Sequence, residues 1–270
     1  MTAKPLELHK LIPNMLTLLS LVAGLSAIQI AIAGDLERAV ILILIAAICD
    51  VLDGAMARLL KANTPFGAEL DSLADFLSFG VAPSLILYLW SLEDIGRFGW
   101  IACVIFALAA ALRLARFNVI QQSPSTSPEW AQKYFAGIPT PAGAGLALLP
   151  IFIWLQAPQF FDQFALAAPL IAVWVILAAG LMVSRIPTFS SKQLKLQQRM
   201  RFPILVVGAS LIGALIHAPW FTLSVVSILY AASIPLSVMH YRKRAIETGK
   251  QAEDISDLAL GIDKSADEWH

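Results

Sequence analysis

Four aspartates, Asp50, Asp53, Asp71 and Asp75, fall within 26 residues of a stretch otherwise apolar enough to lie in a bilayer. The segment DVLDGAMARLLKANTPFGAELDSLAD reduces to D-x2-D-G-x2-A-R-x8-G-x3-D-x3-D. A carboxylate at membrane depth costs roughly 2.5–3.5 kcal/mol on insertion scales, so such residues mark function. Four together repel one another unless something positive sits between them. Arg58 and Lys61 are the only basic residues nearby in sequence, too few to balance four negative charges in a structural ion-pair cluster. Residues three or four apart share a helix face. Asp50 and Asp53 therefore make one pair of ligands, Asp71 and Asp75 a second. The short, turn-like KANTPFG between them predicts an antiparallel helical hairpin with the carboxylates facing each other. Oxygen-only ligation suits a hard divalent cation such as Mg2+, Mn2+ or Ca2+ rather than zinc. No Cys or His pair has metal-ligand spacing, since His9, His217, His240 and His270 are scattered.

The elements that hold this hairpin are membrane helices. The chain is 58% hydrophobic and 14% charged, with a mean hydropathy of +0.74, outside the range of soluble domains. A span needs about 20 apolar residues. Such stretches fall near 14–33, 39–60, 70–90 and 98–118, and four shorter or Pro-broken ones near 140–156, 165–184, 203–217 and 220–240. The expected fold is an all-α, polytopic transmembrane helical bundle of about eight spans, with six as the competing count. Its integral-membrane domain covers 1–246. Residues 247–270, mixed, acidic and poorly periodic, read as a flexible cytoplasmic tail.

Charge asymmetry orients the bundle. With eight spans and both termini on one side, that side carries 17 of the 19 Lys and Arg residues, leaving Arg38 and Arg97 opposite. The positive-inside rule then puts both termini, and the Asp hairpin, at the cytoplasmic face. The basic residues flank loops and form no patch interleaved with base-stacking aromatics, so nucleic acid is not an expected partner. Ala31-Ile32-Ala33 resembles a signal-peptidase site, but the apolar run before it is longer than a signal h-region, so the first helix reads as uncleaved. Cys49 and Cys103 fall within spans and suggest no disulfide framework.

The motif resembles the signature of the CDP-alcohol phosphotransferases. Every fixed position is matched, at Asp50, Asp53, Gly54, Ala57, Arg58, Gly67, Asp71 and Asp75. Pro13-Asn14 at the start of the first helix, RLARFN at 113–118 and YFAGIPTPAGAG at 134–145 are similar to one branch, the bacterial-type integral-membrane phosphatidylserine synthases. The resemblance implies transfer of a phosphatidyl group from CDP-diacylglycerol to L-serine at the cytoplasmic face of the cell membrane. The reaction would be a single displacement at phosphorus, dependent on magnesium (Mg2+) or manganese (Mn2+), in a homodimer. It implies Asp50, Asp53, Asp71 and Asp75 as metal ligands, with Asp75 also taking the proton of the acceptor hydroxyl.

Other roles follow from the same match. The diphosphate of CDP-diacylglycerol would meet Arg58, whose long side chain can reach a phosphate although it lies five residues past Asp53. Gly54 and Gly67 would leave room for the cytidine, and Asn14 would offer its amide to the phosphates. Arg113 and Arg116, within one turn of each other, can clamp the serine carboxylate. They can equally hold the phosphate of glycerol 3-phosphate or an inositol phosphate, or serve only as topology flanks, and choline or ethanolamine are further acceptors in the family. A membrane transporter would spread its acids over several spans, whereas here they crowd one hairpin. An inactive scaffold would be expected to lose a motif position, and none is lost.

Overall fold

The computed structural model of the chain describes residues 11–62, 64–122, 134–159, 167–184, 186–189 and 201–247. The expected tail beyond 247 and the loop lysine Lys133 lie outside the described residues. The architecture is helical. The helices are α1 (Leu11–Ile32), α2 (Leu36–Leu59), α3 (Pro65–Asp75), α4 (Ala82–Trp90), α5 (Arg97–Gln122), α6 (Thr140–Ala147), α7 (Leu149–Gln156), α8 (Ala167–Val183), α9 (Arg201–His217) and α10 (Pro219–Glu247). A π-helical segment, Phe76–Val81, joins α3 to α4 without a break, so Pro65–Trp90 runs as one long helix. Two three-residue strands, β1 (Tyr134–Ala136) and β2 (Pro187–Phe189), pair antiparallel with Phe135 opposite Thr188.

Each of the eight expected spans is occupied by helix. Among the described residues, five stretches are long and apolar enough to cross a membrane: Leu11–Ile32, Leu36–Leu59, Pro65–Trp90, Arg97–Val119 and Pro219–Met239. Ala167–Val183 and Val206–His217 are apolar but shorter, and the segment near 140–156 is divided into α6 and α7 at Leu148. The structure therefore supports a polytopic bundle and leaves the count of eight resting on the sequence.

The described residues fall into two units, one drawn from Met1–Leu114 and Gln163–Ala179, the other from Ala115–Asp162 and Gly180–His270. The first unit is packed inside out relative to a soluble protein. Where α1 and α2 meet, the buried residues are small: Ala23, Gly24, Ala27 and Ala31 on α1, and Ala39, Val40 and Ala46 with Ile43 on α2. The large aliphatics Val22, Leu25, Ile45, Ile48 and Val51 face outward. Small residues let backbones approach closely, and lipid accepts the large ones. Gly34, at φ +88°, ends α1, and the Asp35 side chain caps α2 by accepting from the Arg38 amide at 3.1 Å.

In the second unit the β-ribbon continues into a tight backbone junction. Gly137 takes φ +81° and its amide donates to the Ile186 carbonyl at 2.9 Å. A Cβ at Gly137 would meet the Met182 carbonyl oxygen at 2.5 Å, so only glycine fits. The Gln156 amide donates to the Ser224 hydroxyl at 3.0 Å, tying α7 to α10.

Candidate active site

The hairpin between α2 and α3 forms as the motif spacing predicts, with a shorter turn. Helix α2 ends in a Schellman arrangement: the Ala62 amide donates to the Ala57 carbonyl at 2.9 Å and the Lys61 amide to Arg58 at 3.3 Å. Lys61 takes the left-handed φ of +51° that glycine would favour, at a cost of about 1 kcal/mol. Thr64 then caps α3, accepting from the Gly67 amide at 3.0 Å, and Pro65 stands in the first helical turn. Gly67, expected in the turn, is therefore inside the helix, which begins five residues earlier than the span edge at 70.

This geometry brings Asp50, Asp53 and Asp71 together, each with a carboxylate oxygen within 4.8 Å of the others. Carboxylate oxygens that share one hard cation can stand no further apart than twice a metal–oxygen bond, about 4–5 Å. The donor set and its spacing thus fit a divalent metal. Ionised together without one, each pair at that distance would repel by about 3–4 kcal/mol at an effective dielectric of 20. Asp53 is buried, while Asp50, Asp71 and Asp75 are half-buried. Asp75 stands one turn beyond Asp71, outside the three-carboxylate group, and its carboxyl comes within hydrogen-bonding reach of Asp50. Arg113, on α5, is near enough to Asp50 and Asp75 to act on both electrostatically.

The two motif glycines do different things. A Cβ on Gly54 would touch nothing within 4 Å, so the surface beside Asp53 is open. A Cβ on Gly67 would come within 2.9 Å of Asn14 Oδ1 and 3.0 Å of Thr64 Oγ1. Gly67 thus lets the Asn14 amide, in the first turn of α1, sit against the start of α3. Arg58 is exposed on the last turn of α2, where its charge suits the helix C-terminus.

Arg113 and Arg116, paired in sequence as a clamp, have different partners. Arg116 Nη1 donates to the Val183 carbonyl at 3.0 Å, at the C-terminal end of α8. That bond ties Arg116 through one of its nitrogens to the end of α8.

Three features escaped the sequence reading. The buried Thr17 hydroxyl on α1 donates to Asp53 Oδ2 at 2.7 Å. Ser20 donates to the Ala46 carbonyl of α2 at 3.0 Å, and Ser78, in the π-helical segment, donates to the Ser20 carbonyl at 3.1 Å. The spacing of Thr17, Ser20 and Gly24, three and four residues apart on one face, is the signal that marks this seam.

Comparison with known proteins agrees with this geometry. The family model described as CDP-alcohol phosphatidyltransferase matches residues 10–184, and one described as CDP-alcohol phosphatidyltransferase 2 matches residues 199–235. A Mycobacterium tuberculosis protein named CDP-diacylglycerol–serine O-phosphatidyltransferase is 36% identical over 237 residues, covering 86% of this chain and 80% of its own length. A Helicobacter pylori protein of the same name is 35% identical over 202 residues, covering 75% of this chain and 81% of its own. One from Saccharomyces cerevisiae is 42% identical over 113 residues, covering 42% of this chain and 40% of its own. With a family match over more than half its length and the carboxylate cluster in place, the chain belongs to the CDP-alcohol phosphatidyltransferase family.

Proposed function

We propose that this protein transfers the phosphatidyl group of CDP-diacylglycerol to L-serine, giving phosphatidylserine and CMP. The observation that carries the chemistry is the convergence of Asp50, Asp53 and Asp71 from two adjacent membrane helices. The acceptor is supported by relatives that bear the serine enzyme's name along most of their length. A divalent cation, Mg2+ or Mn2+, held by Asp50, Asp53 and Asp71 with Asp75 beside them, would supply charge neutralisation at the diphosphate and its leaving group.

The chain's own residues do the rest. Asp75 takes the proton of the serine hydroxyl as its oxygen bonds to the phosphatidyl phosphorus. The bond from that phosphorus to the bridging diphosphate oxygen breaks, and CMP leaves with the electron pair. Arg58 and the Asn14 amide hold the diphosphate, and the open side of Gly54 admits the cytidine. Gly67 serves the same pocket by keeping Asn14 close. Arg113, beside Asp50 and Asp75, takes the serine carboxylate and brings the hydroxyl to Asp75. Arg116 holds the end of α8 rather than the substrate.

In this reading the bundle has eight spans across 1–246, with both termini and the Asp hairpin at the cytoplasmic face of a bacterial-type cell membrane. The acyl chains of the donor then stay in lipid while its head reaches the carboxylates. Residues 247–270 form a cytoplasmic tail, and the protein acts as a homodimer.

The test is CMP release from proteoliposomes supplied with CDP-diacylglycerol, Mn2+ or Mg2+ and one alcohol at a time. Serine is expected to support turnover. Release with glycerol 3-phosphate, an inositol phosphate or choline but not serine would overturn the acceptor and leave the family untouched.

A further inference from the structure

We infer that Thr17 is a positioning residue for the metal centre, fixing the carboxylate of Asp53 through its hydroxyl. This rests on the reading of Asp53 as a metal ligand. Thr17 Oγ1 lies 2.7 Å from Asp53 Oδ2 and 3.1 Å from the Pro13 carbonyl oxygen. A hydroxyl has one proton to give. The shorter, charge-assisted bond to the carboxylate takes it. One oxygen of Asp53 is thereby held, which fixes the plane of the carboxylate and the direction its other oxygen offers.

The donor is itself rigid. Thr17 is buried and β-branched, so its side chain has few rotamers to explore. Its helix is fastened one turn further on by Ser20 to Ala46 of α2 and by Ser78 to Ser20. Gly24 lets that contact close, since a Cβ there would come within 2.5 Å of Ser78 Oγ. The first helix is thus registered against both helices that carry the aspartates, and Thr17 bonds from it to Asp53. A hydroxyl that serves only to join two membrane helices would be replaceable by any other such bond, whereas a ligand-orienting one would not.

The experiment measures Mn2+ binding to the full chain in nanodiscs by the loss of the free-ion electron paramagnetic resonance signal. It compares wild type with Thr17→Val, Thr17→Ser and Ser20→Ala. Thr17→Val keeps the shape and removes the hydroxyl, and is expected to weaken Mn2+ binding about tenfold. Thr17→Ser restores the hydroxyl and should bind as wild type does. Ser20→Ala removes a hydrogen bond between the same two helices without touching a carboxylate, and should weaken Mn2+ binding far less than Thr17→Val does. In CMP release, the Mn2+ concentration for half-maximal rate should rise for Thr17→Val while the rate at saturating Mn2+ stays near wild type.

Unchanged affinity in Thr17→Val overturns the inference, as does equal weakening in Thr17→Val and Ser20→Ala, or no restoration by serine. If Thr17→Val does not fold, Thr17→Ala carries the same comparison. Absence of Mn2+ binding by the wild type would instead bring down the metal reading itself, and this inference with it.

Discussion

Gly67 and Asn14 meet across the start of α1 and α3 at a distance that leaves no room for a methyl group. Gly67→Ala should therefore displace the Asn14 amide by a few tenths of an ångström. The expected result is a fall in kcat/KM for CDP-diacylglycerol with stability changed by less than about 1 kcal/mol, because the displaced atoms end side chains and alanine offsets part of the crowding as the better helix former. Gly54→Ala is the contrasting case. Its new methyl meets nothing in the protein, and alanine is the better helix former by about 0.5–1 kcal/mol, so thermal stability should hold or rise while KM for CDP-diacylglycerol increases. Thermal unfolding in nanodiscs and initial-rate CMP assays separate the two. If Gly54→Ala leaves KM unchanged, the cytidine does not lie against Gly54.

Metal dependence follows from the carboxylate cluster. EDTA should abolish CMP release, and Mn2+ or Mg2+ should restore it. Asp50→Asn, Asp53→Asn and Asp71→Asn should each lower turnover at least about a hundredfold, the scale on which a lost Lewis acid is felt. Full activity in EDTA-treated protein would contradict the reading.

Asp75 is separable from the other three. Asn keeps its size and one acceptor oxygen but takes no proton near neutral pH. Asp75→Asn should lower single-turnover CMP release by about 10²–10⁴ while CDP-diacylglycerol binding falls far less. Near-normal release would remove Asp75 as the base, and parallel loss of binding and rate would reduce it to holding metal.

The two arginines of RLARFN should behave differently. Arg113→Ala should raise KM for serine, because its charge acts on Asp50 and Asp75. Arg116→Ala removes a charged hydrogen bond to Val183 and should cost about 1–2 kcal/mol in stability, with serine KM moved less. A rise in serine KM of the same size in both variants would revive the two-arginine clamp.

Much of this arrangement is legible in the residue pattern because membrane helices and intramembrane acids are both strong signals. The Asp pairs reveal a shared face through their three- and four-residue spacing, and Pro65 with Thr64 ahead of it is an ordinary helix start. Treating Pro65 and Gly67 as turn residues nonetheless set the span edge too late. Thr17 stayed hidden because a threonine in an apolar run reads as packing until its partner, 36 residues on, is known. FLSFGV carries no local sign of π-helical geometry. The β1–β2 pairing joins strands some fifty residues apart, one of them opening with a proline. Arg113 and Arg116 share a turn, yet long side chains let neighbours reach different partners, so spacing alone does not pair them.

The three clustered carboxylates come from two consecutive helices joined by a turn of five residues, 60–64. Closing so short a loop costs little chain entropy, since that cost grows only with the logarithm of loop length. Contacts this local form early in folding. The site is therefore able to assemble as soon as the third helix has emerged beside the second, before the C-terminal half of the protein has been synthesised.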